Sequence, residues 1–160
     1  MKRFLCIILT GLLLLGLAGC GAISKAQRTI QKRTGLDLEL SGCRILSETD
    51  THGGFLGDGE TLLVLDCSGS EDKILAQTGG WPDLPLSENI QTVLYDWGVA
   101  EKYAIPAIRK GKWYFYDRFA DDVALDRRSD ARLLSRPAEN FSLLLFDSEN
   151  SILYYFEMDT

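Results

Sequence analysis

Two apolar runs close the chain, residues 141–147 and 151–158, joined by a turn around Ser148-Glu149-Asn150-Ser151. Their aromatic and aliphatic residues read as strands. A turn that pairs Asp147 with Ile152 also sets Leu145 against Tyr154, Leu143 against Phe156 and Phe141 against Met158. A one-residue slip would break that match. Both faces of this hairpin are apolar near the turn, so it belongs centrally in a sheet, with helices covering at least one face.

Upstream, residues 36–47 and 61–68 read as two further strands, joined by the glycine-rich link His52-Gly53-Gly54-Phe55-Leu56-Gly57-Asp58-Gly59. If Cys43 faces Cys67, Ile45 faces Leu65 and Ser47 faces Leu63, while Arg44 faces Asp66 and Leu46 faces Val64. Apolar and opposite-charge cross-strand pairs of this kind stabilise by a few tenths to about 1 kcal/mol each. Ser70-Glu71-Asp72 reads as a capped helix start running to Gly79-Gly80, and Ser87 caps a second helix through Trp97 that Gly98 closes. Residues 112–119 supply a fifth strand, in which Trp113 and Phe115 point to one face and Tyr114 and Tyr116 to the other. Residues 120–140 read mainly as an ordered loop, with Pro137 ending any helical turn. The expectation is an α+β fold: a single domain whose antiparallel sheet joins an N-terminal hairpin to a C-terminal three-stranded meander, with two central helices packed on one face.

Charge is placed unevenly. Residues 1–35 hold Lys2, Arg3, Lys25, Arg28, Lys32 and Arg33 and no acid, whereas from residue 36 onward eleven bases face twenty-three acids. That net charge of −12 disfavours binding to a phosphate backbone, so no nucleic-acid partner is expected. Ile23, Ala26 and Ile30 recur at helical spacing before Gly35, giving a short basic helix or a solvated tether.

The N-terminus carries an address. Lys2-Arg3, an apolar run over residues 4–17 and small residues at a cut site form the pattern of a secretory signal, too short to span a bilayer comfortably. Leu17-Ala18-Gly19-Cys20 resembles the lipobox of bacterial lipoproteins. The resemblance implies cleavage after Gly19 and a diacylglyceryl group on the Cys20 thiol, and two acyl chains hold a domain on a membrane where one does so marginally. It divides the chain into a signal peptide (1–19), a lipid anchor with basic tether or short helix (20–35) and a globular domain (36–160), placed outside the cytoplasm on the cell membrane or outer membrane. With Cys6 lost and Cys20 lipidated, Cys43 and Cys67 remain as an even pair. Either they form a disulfide, worth roughly 3 kcal/mol, or they sit reduced and buried.

Catalytic patterns are sparse. His52 is the one histidine, so any histidine-dependent triad must use it, and with Cys43 and Cys67 it makes a poor zinc set. Gly57-Asp58-Gly59 lacks the third glycine and the following helix of a dinucleotide loop. Asp121, Asp122, Asp126 and Asp130 lack the ligand order of a calcium loop. No cofactor or metal is therefore expected. Arg127, Arg128, Arg132 and Arg136 form a candidate surface for an anionic partner, or pair internally with those aspartates.

Together with the lipobox, Trp81-Pro82-Asp83-Leu84-Pro85-Leu86 and Gly111-Lys112-Trp113-Tyr114-Phe115-Tyr116-Asp117 resemble small bacterial lipoproteins of unassigned activity. The expected role is a non-enzymatic binding or interaction module, held on the membrane by the lipid on Cys20 and meeting a protein partner in the cell envelope or an unspecified small molecule. A lipid-anchored inhibitor or immunity-type protein with an acidic face is the alternative, and a cell-envelope enzyme the third.

Overall fold

The computed structural model describes residues 25–53, 57–119 and 126–160, so Cys20, Asp121 and Asp122 lie outside the described residues. Five strands form one antiparallel sheet: β1 (Arg44–Asp50), β2 (Gly59–Asp66), β3 (Gly111–Asp117), β4 (Phe141–Asp147) and β5 (Ile152–Asp159), in spatial order β1-β2-β5-β4-β3. The chain is a single α+β domain. Every residue of β4 is buried, and its register against β5 runs Asp147↔Ile152, Leu145↔Tyr154, Leu143↔Phe156 and Phe141↔Met158. The N-terminal hairpin joins the meander through β2 and β5, with Leu63 opposite Tyr155.

A strand buried on both sides needs cover on both sides. One face packs Leu143, Leu145, Phe156 and Phe115 under Ile90, Val93 and Leu94. These come from α4 (Glu88–Gln91) and the π-helical turn Thr92–Asp96 that extends it, followed by α5 (Val99–Lys102). The other face packs Leu63, Leu65, Leu144, Phe146 and Leu153 under Ile30, Leu36, Leu38 and Ile74. Ile30 belongs to α1 (Lys25–Thr34), Leu38 to the short α2 (Leu38–Ser41) and Ile74 to α3 (Glu71–Gln77). The two central helices thus fall on opposite faces, where packing on one face was expected. Tyr155 and Phe156 are 1% exposed, so neither side of the hairpin can be left to solvent.

Three local differences have physical causes. Residues 36–41 are not strand, because Asp37 accepts the Glu39 amide and its carbonyl accepts Ser41, closing a helical turn instead. Ser70 makes no side-chain cap to α3, while Ser87 accepts the Ile90 amide at 3.3 Å as expected. In the β1–β2 ladder Arg44↔Asp66 and Ile45↔Leu65 pair as expected, but a bulge at Leu46 then sets Ser47 opposite Val64 and Glu48 opposite Leu63. An extra residue in one strand re-aims all that follow it. Glu48 and Asp50 thereby share a face with Leu63, Thr61 and α1.

Cys43 and Cys67, just beyond the paired ends of β1 and β2, are joined with sulfurs 2.08 Å apart. The outer edge of β3 is covered at its start by Asp83 bridging Lys112 and by the Trp113 amide donating to Pro82, and at its end by the Asp117 amide donating to Arg127. This gives the Trp81–Leu84 region a structural task.

The packed unit takes in α1, ahead of the boundary expected at residue 36. Ala, Gln, Lys and Arg favour the helix, Gly35 (φ +75°) ends it, and Ile30 is fully buried. Ile30→Ala is expected to lower unfolding stability by about 3 kcal/mol in urea denaturation. A change below about 0.5 kcal/mol would show that the helix is only a tether.

Candidate functional site

The apolar pattern of the α1-covered face stops at the end of the sheet where β5 finishes. Ser142, Tyr155, Glu157 and Asp159 occupy that end on β4 and β5, Thr61 on β2, and Glu48 and Asp50 on β1. Between them and α1 lies a cavity of about 300 Å³, rimmed also by Lys25, Ala26, Thr29, Arg33 and His52.

Glu157 is the hub. Its Oε2 accepts from Arg33 Nη1 at 2.5 Å and from the Tyr155 hydroxyl, and its Oε1 lies 3.1 Å from Arg118 Nη1. Arg33 Nη1 also donates to Tyr155 at 2.6 Å and to Ser142 at 3.0 Å. Arg118 Nη1 reaches Asp159 at 2.6 Å while its Nη2 donates to the carbonyls of Met158 and Phe141. Burial pushes the Tyr155 phenol well above its ordinary range, and the Glu157 charge beside it adds to the effect. Arg33, one of the bases on the expected short helix or tether, turns inward to these partners.

His52 joins the loop to the sheet. Its Nδ1 lies 2.7 Å from Asp50 Oδ1 and its Nε2 3.0 Å from Asp159 Oδ2, with the Thr61 hydroxyl 3.3 Å from Nδ1. A neutral imidazole has one N–H and would turn a lone pair toward one carboxylate, so the contacts suit the imidazolium. Partial burial disfavours that charge, but the bonds to Asp50 and Asp159 outweigh it and the pKa is raised above 6.5. Asp50 is held below the usual carboxylate range, first by the His52 backbone N–H and then by the ring. The loop is drawn in closely: a Cβ on Gly59 would stand 2.5 Å from His52 Cα.

His52, Glu157 and Asp159 present atoms within 4.8 Å of one another. Both carboxylates are already engaged by guanidiniums, so a dication would meet Arg33 and Arg118 at contact distance. We assign the cluster to an ion-pair network, not a metal centre.

The arginine loop is partly held against the domain, with Arg128 and Arg132 exposed. Arg136 pairs with Asp117 at 2.6 Å and its side chain is 5% exposed, Arg128 donates to the Gly80 carbonyl and lies over Tyr114, and Arg127 lies over Tyr116. Arg132 alone of the four shows neither arrangement and is exposed. The described aspartates serve elsewhere: Asp126 accepts the Arg128 amide, and Asp130 accepts from Ser87 and Asn89.

Sequence reasoning named His52 but missed Arg33, Arg118, Glu157 and Asp159 as a group. The available signal was two acids at alternate positions after Tyr155, where strand periodicity continues the buried face. Comparison with family models, curated proteins and solved structures finds no match.

Glu157→Ala removes the shared acceptor and leaves two partly buried guanidiniums and the Tyr155 hydroxyl without it. Unfolding stability is expected to fall by about 3 kcal/mol at neutral pH, measured by chemical denaturation. A loss under about 1 kcal/mol would mean the network rearranges freely.

Proposed function

We propose that this chain is an extracytoplasmic lipoprotein, anchored through Cys20, whose domain is a non-enzymatic binding module. The cavity beneath α1 is the observation that carries the binding reading. Its volume lies at the low end for ligand sites. Lys25 and Thr29 on one rim face Glu48 and Asp50 on the other, which suits a small ligand bearing both a cationic and an anionic group.

Binding is favoured over turnover because His52, Asp50, Asp159, Glu157, Arg33 and Arg118 are engaged with one another. Both nitrogens of His52 face carboxylates, leaving no free lone pair to act as a base, and Thr29 Oγ1 donates to the Lys25 carbonyl.

Two features support the address. The Cys43–Cys67 disulfide suits an oxidising compartment. Lys25, Arg28 and Lys32 are exposed and recur at i, i+3 and i+7, forming a basic outer stripe on the helix whose inner side buries Ile30. Five residue steps from Cys20 to Lys25 reach at most about 18 Å. The stripe would meet anionic headgroups at about 1 kcal/mol per basic residue near the surface.

The test is intact and native mass spectrometry of protein extracted from envelopes. The wild type is expected to begin at an acylated Cys20 and to carry a small polar adduct. Cys20→Ala should be uncleaved and unacylated, and Thr29→Trp, which fills the cavity from the helix side, should lose the adduct while keeping the acyl mass. An unacylated wild type overturns the address, and an adduct that survives Thr29→Trp, or none in the wild type, overturns the cavity as the binding site.

A further inference from the structure

At the end of the sheet where β4 turns into β5, opposite the end that holds the cavity beneath α1, a second cavity of about 430 Å³ lies against the first residue of β3. Its volume falls within the range of small-molecule sites. Leu75 from α3 and Leu84 give it apolar walls, and Arg109, Lys110, Lys112 and Ser148 give it polar ones. The backbone there is pinned from both sides. The Lys110 carbonyl accepts the Ser148 amide at 3.1 Å, and the Gly111 carbonyl accepts the Leu84 amide at 3.1 Å. Gly111 lies so close to β4 that a Cβ would stand 1.8 Å from the Phe146 carbonyl oxygen, so the residue joining the two lysines has to be glycine.

The charges of this lining are not spent elsewhere. Of the eleven bases from residue 36 onward, Lys73, Arg109, Lys110 and Arg132 are the four whose side chains meet no carboxylate, carbonyl or ring among the described residues. Two of those four are consecutive and line one cavity. Lys112 is held in place, donating to Asp83 at 2.8 Å and to the Trp81 carbonyl at 3.3 Å, so Asp83 offsets Lys112 and leaves Arg109 and Lys110 uncompensated. Asp147, the acid paired with Gly111, is buried in its own turn, where it accepts the Glu149 and Asn150 amides. The Ser148 hydroxyl also has no partner among the described residues.

We propose that this cavity binds a small organic anion, a carboxylate or phosphate monoester on a short apolar stem. The site is separate from the cavity beneath α1, and the proposal does not rest on that reading. The Arg109 guanidinium offers a planar pair of N–H donors that suits either oxyanion, Lys110 adds a second charge, and Ser148 adds a neutral donor. Leu75, a large apolar side chain left 38% exposed, and Leu84 cover the stem. The net charge of −12 from residue 36 onward works against anions at long range, so the ligand has to be held by contact. Two free cations beside an apolar wall supply that contact.

The test is a titration followed by amide NMR on the full chain in a non-ionic detergent, with butyl phosphate and butyrate as probes. At least one of them should shift the amides of residues 109–112 and 148 saturably, whereas butanol should not. Inorganic phosphate should bind several-fold more weakly than butyl phosphate. Arg109→Gln and Lys110→Gln, whose side chains make no contact the fold uses, should each weaken binding by about tenfold. Leu75→Ser should bring butyl phosphate down to the level of inorganic phosphate. Thr29→Trp should leave all of this unchanged, which keeps a failure here apart from a failure of the cavity beneath α1. Phosphatidylglycerol doped into the micelles should shift the amides around Lys25, Arg28 and Lys32 and leave residues 109–112 alone. The site is overturned if no saturable shift develops at residues 109–112 by about 10 mM probe, a very weak affinity for any specific site. A shift confined to α1, or one that survives the double variant of Arg109→Gln with Lys110→Gln, overturns it as well. Inorganic phosphate binding as tightly as butyl phosphate overturns the apolar stem, and a response to phosphatidylglycerol at residues 109–112 overturns a soluble ligand.

Discussion

The constraint on which the structure depends is the burial of β4 and β5 on both faces. A strand in which each of seven residues is shielded cannot be the floor of a two-layer domain. It must be the middle of three layers, and the chain has to supply helices for both sides. The short α4 with its π-helical extension serves one face. The other is shared among α1, α2 and α3, none of which covers it alone. Residues next to an expected lipid anchor are therefore recruited into the core, since without Ile30, Leu36 and Leu38 the face formed by Leu63, Leu144 and Tyr155 would be open.

The same constraint places the site. Under α1 the apolar side chains of β2, β4 and β5 give way to Thr61, Ser142, Glu157 and Asp159 before the helix ends, so polar groups are trapped beneath a helix instead of meeting water. They must then satisfy one another. Arg33 reaches down from the helix and Arg118 in from beyond β3, and each takes several acceptors because a guanidinium offers five N–H donors in a plane. The bulge at Leu46 completes the arrangement. Without it Ser47 and Thr49 would face the cavity in place of Glu48 and Asp50, and His52 would lose the carboxylate next to it.

Much of the fold was legible because strand pairing in the last hairpin is dictated by side-chain size and period, and residues 141–158 admit one satisfactory register. The cysteine pair likewise marked the start of the β1–β2 ladder. The bulge was not legible, since Leu46 breaks no propensity rule and nothing in its neighbours marks the change of register that begins at Ser47. Nor was the side on which each helix lands: α3 and α4 are both short and amphipathic, and their placement follows from connections through Gly79-Gly80 and the Trp81–Leu84 bridge to β3. The partners of the arginine loop were hidden for a related reason. Arg127 and Arg128 lie over tyrosines of β3 and Arg136 pairs with Asp117, partners far from them in sequence, while Arg132 stays exposed.

Stability alone does not account for the network around Glu157. Removing carboxylates and guanidiniums from water costs several kcal/mol per ion before their attraction is counted, and well-packed apolar residues of similar volume often do as well or better. A domain that already fills both faces with leucine and phenylalanine had that simpler solution for the last two rows of its sheet. What an apolar plug could not provide is a cavity with both signs of charge on its rim. The polar end of the sheet is what the proposed binding role would draw on, and its position beneath α1 puts it close to the proposed anchor at Cys20.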